Sequence, residues 1–243
     1  MTHLPIAWIH PGSPARFPPP AQALREPDGL LALGGDLSTE RLLAAYRHGI
    51  FPWYGQDEPI LWWSPNPRCV FDLEHLHPDR SLRKLMRKSD WTVTIDHTFR
   101  DVMQACAAPR AGQRGGTWIT DDMIQAYTAL HDAGHAHSIE VWHGPQLVGG
   151  LYGIAVGRMF CGESMFSNVS GGSKVALVCL GQLLRDWGFP WLDAQVGNPH
   201  LYRMGAENMP RREYLAHLET LVSDTPAPGA FVLDDALPVR TCV

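Results

Sequence analysis

No CxxC pair occurs in the 243 residues, and the five cysteines, Cys69, Cys106, Cys161, Cys179 and Cys242, are scattered and odd in number. That speaks against a disulfide framework and fits a reducing, cytoplasmic compartment. Also missing is any apolar run of roughly 18 residues, the length a membrane helix needs. The N-terminal MTHLPIAWIHPGSP lacks a basic start followed by an apolar core, so neither a signal peptide nor a membrane partner is expected. Positive charge is in deficit: 20 Lys and Arg stand against 25 Asp and Glu, a formal net charge of -5. A polyanion partner would therefore need a local basic patch.

Familiar catalytic signatures are equally scarce. HExxH is absent, and His135 and His137 stand two apart without further ligand spacing, so no metal is expected. Gly162-Glu163-Ser164-Met165 is not the GxSxG elbow of a serine nucleophile. GxxxxGK[ST] is missing too, although Gly171-Gly172-Ser173-Lys174 opens a helix and could offer backbone N–H groups to an anion. Lys174 in a first helical turn opposes the macrodipole, which suits holding an anion or pairing with Glu163.

What is present is ample core: 45% of residues are hydrophobic, enough for one large domain or two unequal ones. Residues 1–37, rich in Pro and Gly, suggest an extended arm rather than a packed unit. Ser38 can cap a helix to about Arg47 with Leu42, Leu43 and Tyr46 buried, and Gly49 is placed to end it. A turn-rich segment follows with Trp53, Tyr54, Trp62 and Trp63, rings that either pack a core or stack on a base. CVFDL opens the larger domain as a strand, then RSLRKLMRK reads as a helix. Arg80, Arg83, Lys84 and Arg87 share one helical face and Lys88 adds to it, with no acidic residue among them. Charge runs are commonly solvated faces, but such faces mix signs; this is the one credible polyanion patch.

WTVTI reads as a strand, Thr98–Ala107 as a helix and PRAGQRGG as a flexible loop. Thr120 caps a helix striped by Met123, Ile124, Tyr127 and Leu130. SIEVWH and QLVGGLYGIAV form a hairpin turning at Gly144-Pro145, and RMFCGE continues the sheet to Glu163. Ser173–Trp187 is a helix apolar over a wide arc, hence buried. A helix Arg211–Val222 and a last strand GAFVL close the chain. This order predicts a mixed, largely antiparallel α/β or α+β sheet rather than a doubly wound parallel one.

Residues 157–195 organise the chemistry as strand, loop, buried helix, strand. Alternation along the second strand points Asp193 and Gln195 the same way, near Glu163 at the end of the first. Two carboxylates, one amide and an apolar wall of Phe160, Met165, Leu177, Leu180 and Leu192 suit proton handling and ammonium binding beside an apolar side chain. They suit transfer of an already activated acyl group to an amine. An ester needs no enzyme nucleophile, and an α-amino group titrating near about 8 needs only a modest push from a carboxylate.

Together GLLALGGDLSTERLLAAYRHGIFPWY, LWWSPNPR, GTWIT, LHDAGHAHSIEVW, LVGGLYGIAVGRMFCGESMFS, SKVAL and LDAQVGNPHLYRMGAENMPRREYL resemble the bacterial leucyl/phenylalanyl-tRNA–protein transferases, over about residues 29–218. The resemblance implies transfer of Leu, Phe or Met from aminoacyl-tRNA to the N-terminal Arg or Lys of a protein, marking it for degradation, with no cofactor. It implies an α+β fold: a small N-terminal domain, residues 1–67, beside an N-acetyltransferase-like mixed sheet with flanking helices, residues 68–243. It also implies site roles: Asp193, Gln195 and Glu163 at the reaction; Leu151, Phe160, Met165, Leu177, Leu180 and Leu192 around the aminoacyl side chain; Trp53, Trp118 and Tyr127 on the terminal adenosine; Arg80, Lys84, Arg87 and Lys88 on the tRNA. The loop Arg110–Gly116 is longer than usual for the family, and the tail after Asp224 departs from it.

Two other classes fit the composition. A coenzyme-A-dependent N-acetyltransferase would carry a Q/R-x-x-G-x-G/A loop before its central helix, which is not found. A tRNA-binding module without catalysis would leave Asp193 and Gln195 unexplained.

Overall fold

The computed structural model describes residues 6–109, 118–226 and 229–243. The loop Arg110–Gly116 lies outside them.

The first strands are β1 (Ala7–Ile9), β2 (Leu30–Gly34), β3 (Phe51–Pro52) and β4 (Leu61–Trp63), which form a sheet in the order β1-β2-β4-β3. The Pro/Gly-rich arm therefore does pack, against expectation. Leu30, Leu31 and Ala32 are buried, and β1 joins β2 in parallel. Helix α1 (Thr39–Arg47) starts where Ser38 accepts the Arg41 N–H, and Gly49, at φ 69°, turns the chain after it.

An eight-stranded sheet holds the rest. Its strands are β5 (Arg68–Asp72), β6 (Thr92–Ile95), β7 (Ala136–His143), β8 (Gln146–Val156), β9 (Met159–Ser167), β10 (Trp191–Gln195), β11 (Glu207–Met209) and β12 (Leu237–Pro238), in the order β11-β5-β10-β9-β8-β7-β6-β12. Only β9 and β10 run parallel; the other neighbours are antiparallel. GAFVL is not a strand: its Phe231 sits at φ 61° in a turn, and the last pairing is made by Leu237 and Pro238 with β6. Strand β9 runs to Ser167, four residues beyond the expected end at Glu163.

The helices are α2 (Arg80–Lys88), α3 (Phe99–Ala107), α4 (Asp121–Asp132), α5 (Gly172–Asp186), α6 (Pro199–Arg203) and α7 (Arg211–Leu221). They flank both faces of the large sheet, giving an α+β fold with mixed sheets. One core joins α3, α4 and α7 to the small sheet; the other gathers α2, α5 and the C-terminal tail. Helix α5 is buried nearly all round, as its wide apolar arc requires. Each of its buried leucines contributes about 1.5–3 kcal/mol by leaving water.

Candidate active site

Beside the wholly buried pair Cys161–Asp193, β9 and β10 stop pairing. Each strand then carries an extra residue. On β9 the partners of Tyr152 and Gly153 are Ser164 and Gly162, so Glu163 is the bulged residue. On β10 the partners of Val70 and Cys69 are Asp193 and Gln195, so Ala194 is extra. At Gly153, opposite Gly162, only hydrogen fits: a Cβ there would stand 2.3 Å from the Cys161 carbonyl. Beyond this point the strands leave a cavity of about 420 Å³, closed on the other side by Phe51, Pro52 and Trp53 of the small sheet.

Glu163 is the cavity's half-buried carboxyl. Its Oε1 accepts Gln195 Nε2 at 2.6 Å and the Tyr46 hydroxyl at 2.8 Å, and its Oε2 accepts the Tyr127 hydroxyl at 3.3 Å. The two phenols stand 2.5 Å apart. Burial pushes Glu163 up to about 7, although the hydrogen bonds from Tyr46 and Gln195 oppose the rise. Burial and the nearby Glu163 charge hold both phenols well above their ordinary range, so they stand as proton donors.

Asp193 does not reach the cavity. It has no exposed surface, and its oxygens take the Arg68 fork at 2.8 and 2.6 Å, the Tyr214 hydroxyl at 2.8 Å and the Gln195 N–H at 2.9 Å. Its basic partner is Arg68. Lys174 makes no ion pair with Glu163; it lies near His200, whose imidazole is held below its ordinary value by burial and by that ammonium.

Leu151, Met165, Leu177 and Leu192 line the cavity, whereas Phe160 and Leu180 are fully buried behind it, in the core around α5. Trp53 and Trp118 also line it, Trp53 being 45% exposed. Tyr127 lies beneath Glu163, off the wall. Arg80, Lys84, Arg87 and Lys88 are exposed on α2, while Leu82 and Met86 are buried under it.

Sequence reasoning overlooked Tyr46, Arg68 and Tyr214 as parts of the site. A signal for one of them existed. Arg68 opens a strand whose next residues are apolar, and a charge entering a core needs a carboxylate; Asp193, on another apolar strand, is its complement.

A model of the leucyl/phenylalanyl-tRNA protein transferase family matches residues 70–219, and one of that family's N-terminal domain matches residues 35–66. The chain belongs to this family. A leucyl/phenylalanyl-tRNA–protein transferase of Xanthomonas axonopodis pv. citri is 56% identical over 94% of this chain and 92% of that protein. One of Xanthomonas oryzae pv. oryzae is 58% identical over 89% and 87%, and one of Alcanivorax borkumensis 54% over 92% and 92%. Beyond the matched part of this transferase, three residues of the tail pack all the same: Phe231 stacks on His137 at 3.7 Å, and Val239 and Cys242 are buried. Among the described residues no helix is long and apolar enough to cross a membrane.

Proposed function

We propose that the cavity receives the 3′ end of an aminoacyl-tRNA and that the new peptide bond forms against Glu163 and Gln195. As a member of its family the protein is an aminoacyltransferase, carrying an aminoacyl group from tRNA to a protein; the relatives' names lend nothing to a coenzyme-A-dependent reaction. The observation that carries the site reading is Glu163, a carboxyl on the cavity wall pushed up to about 7 and 2.6 Å from the Gln195 amide. A group of that basicity takes a proton from an α-ammonium titrating near about 8 at little cost.

The chemistry then balances simply. Glu163 takes one proton from the acceptor's α-ammonium and passes it to solvent; the neutral amine nitrogen then attacks the ester carbonyl held by the Gln195 amide, which has both donor and acceptor atoms, and gives Glu163 its second proton as the bond forms. The carbon–nitrogen bond forms, the ester carbon–oxygen bond breaks, and the departing ribose oxygen takes the proton back from Glu163. Leu, Phe or Met side chains rest against Leu151, Met165, Leu177 and Leu192; the terminal adenine stacks near Trp53 and Trp118. The acceptors are proteins beginning with Arg or Lys, which the added residue marks for degradation in the cytoplasm. Arg80, Lys84, Arg87 and Lys88 meet tRNA phosphates. Residues 1–67 act as a small domain completing the site offered by residues 68–243.

Labelled Leu-tRNA and an Arg-initiated peptide test this directly. The parent should label the peptide, and Glu163→Gln should not, while still binding the tRNA. Equal labelling by both proteins would sink the site reading.

A further inference from the structure

Gln195 is one of three non-glycine residues with positive φ among the described residues, at 62°. L-residues other than Gly, Asn and Asp rarely adopt this conformation, and where they do the surroundings must hold it. Here the holder is visible. The Gln195 N–H is captured at 2.9 Å by Oδ1 of Asp193, two residues back, across the bulge at Ala194. Asp193 in turn cannot move. Nε and Nη2 of Arg68 grip its two oxygens, and the Tyr214 hydroxyl donates to Oδ2. The Cys161 thiol, pushed well up by burial, faces the same carboxylate.

Arg68 is itself fixed from several sides. Its guanidinium lies 4.8 Å from the Phe51 ring centroid and 4.7 Å from that of Tyr214, and Nη1 donates to the Gly49 carbonyl at 3.1 Å. Gly49 and Phe51 belong to the turn and strand that carry the opposite side of the cavity. A bidentate guanidinium is the group suited to such a task, since its planar fork fixes direction as well as distance.

We propose that Arg68 is a positioning residue for the transfer reaction: through Asp193 it holds Gln195 in the left-handed conformation that sets its amide against Glu163, and Asp193 serves as this anchor without meeting either substrate. One guanidinium thereby ties the Gly49–Phe51 side of the cavity to the Gln195 side. The inference rests on the reading that Glu163 and Gln195 form the reacting face.

Three variants, with Glu163→Gln in parallel, test it in single-turnover transfer and in steady state across pH, with melting to establish the folded fraction. Asp193→Asn keeps an oxygen for the Gln195 N–H; Asp193→Ala does not. At equal folded fraction the Asn protein should therefore transfer about tenfold faster than the Ala protein, roughly the worth of that hydrogen bond. Asn and Ala equally inactive would overturn the proposal, because a proton-accepting Asp193 would be lost alike in both. Tyr214→Phe keeps the ring over Arg68 and removes one donor to Asp193, so it decides the matter if the Asp193 variants do not fold. Its transfer rate should fall with both KM values and the pH midpoint unchanged. A moved midpoint, a raised acceptor KM with unchanged rate, or full parental activity would each overturn the anchor. Should Glu163→Gln keep the parent's rate and pH profile, the site reading itself fails; loss in Glu163→Gln beside equal Asn and Ala variants overturns the anchor alone.

Discussion

Oε1 of Glu163 accepts a hydrogen bond from Nε2 of Gln195 at 2.6 Å, just past the point where β9 and β10 cease to pair. The two side chains meet because each strand carries a bulge there, one at Glu163 and one at Ala194. A regular parallel pair would have closed this gap with backbone hydrogen bonds. The opening of the sheet thus supplies both the cavity and the two polar groups at its edge.

Transfer should depend on the ionisation of Glu163. With its carboxyl pushed up to about 7, the single-turnover rate should rise with pH to a midpoint near that value. Glu163→Gln should lose this limb and fall by roughly 10²–10⁴-fold, the usual range for a missing acid–base group. Rates measured on both proteins from acid to mildly alkaline pH check this.

The same carboxyl makes stability pH-dependent in a definite sense. Its folded value lies above its ordinary 4.5, so the folded state binds the extra proton in the window between 4.5 and about 7. The stability it contributes is therefore complete below 4.5 and is lost as pH rises through about 7. The melting temperature of the parent relative to Glu163→Gln should decline across that window. A difference that grows with pH would contradict the burial of this group.

Amino-acid choice should follow the cavity wall. Leu151, Met165, Leu177 and Leu192 line the cavity; with the aminoacyl side chain resting on them as proposed, donors branched at Cβ, Ile-tRNA and Val-tRNA, should be poor. Apolar contacts of one methylene discriminate by only about 1–3 kcal/mol, so the preference is finite. Leu177→Ala should loosen it, seen as a smaller ratio of kcat/KM for Leu-tRNA over Ile-tRNA. Leu180→Ala removes a fully buried core side chain behind the wall and should show mainly as lost stability, about 2–5 kcal/mol.

Binding of tRNA should weaken with salt. Each phosphate neutralised on a duplex contributes a log–log slope of about -0.9. Arg87 is exposed on α2 beside Lys84 and Lys88, so Arg87→Ala should make the slope shallower by about one such contact without lowering the melting temperature. Filter binding or fluorescence titration at several salt concentrations measures it; a salt-independent parent would remove α2 from the interface.

Much of this molecule is local, and local features are what a sequence alone determines. Ser38 and Thr120 cap the helices that their side-chain chemistry demands. Arg80–Lys88 forms a helix with its leucine and methionine inside because charge and apolar residues alternate at helical spacing. The hairpin turning at Gly144 and the buried helix α5 were legible for the same reason. Strands of two or three residues were not, since β1, β3, β4, β11 and β12 are too short to show a period. At the site, alternation brought Asp193, Gln195 and Glu163 together as candidates, but it assumes a regular strand. Only the folded chain decided that β10 bulges at Ala194 and turns left-handed at Gln195, which leaves Gln195 in the cavity and Asp193 beneath it. Nor could the sequence pair Arg68 with Asp193, 125 positions away, or bring Tyr46 and Tyr127 under Glu163. Those partners are selected by strand order and packing, which join distant residues through geometry that leaves no periodic trace along the chain.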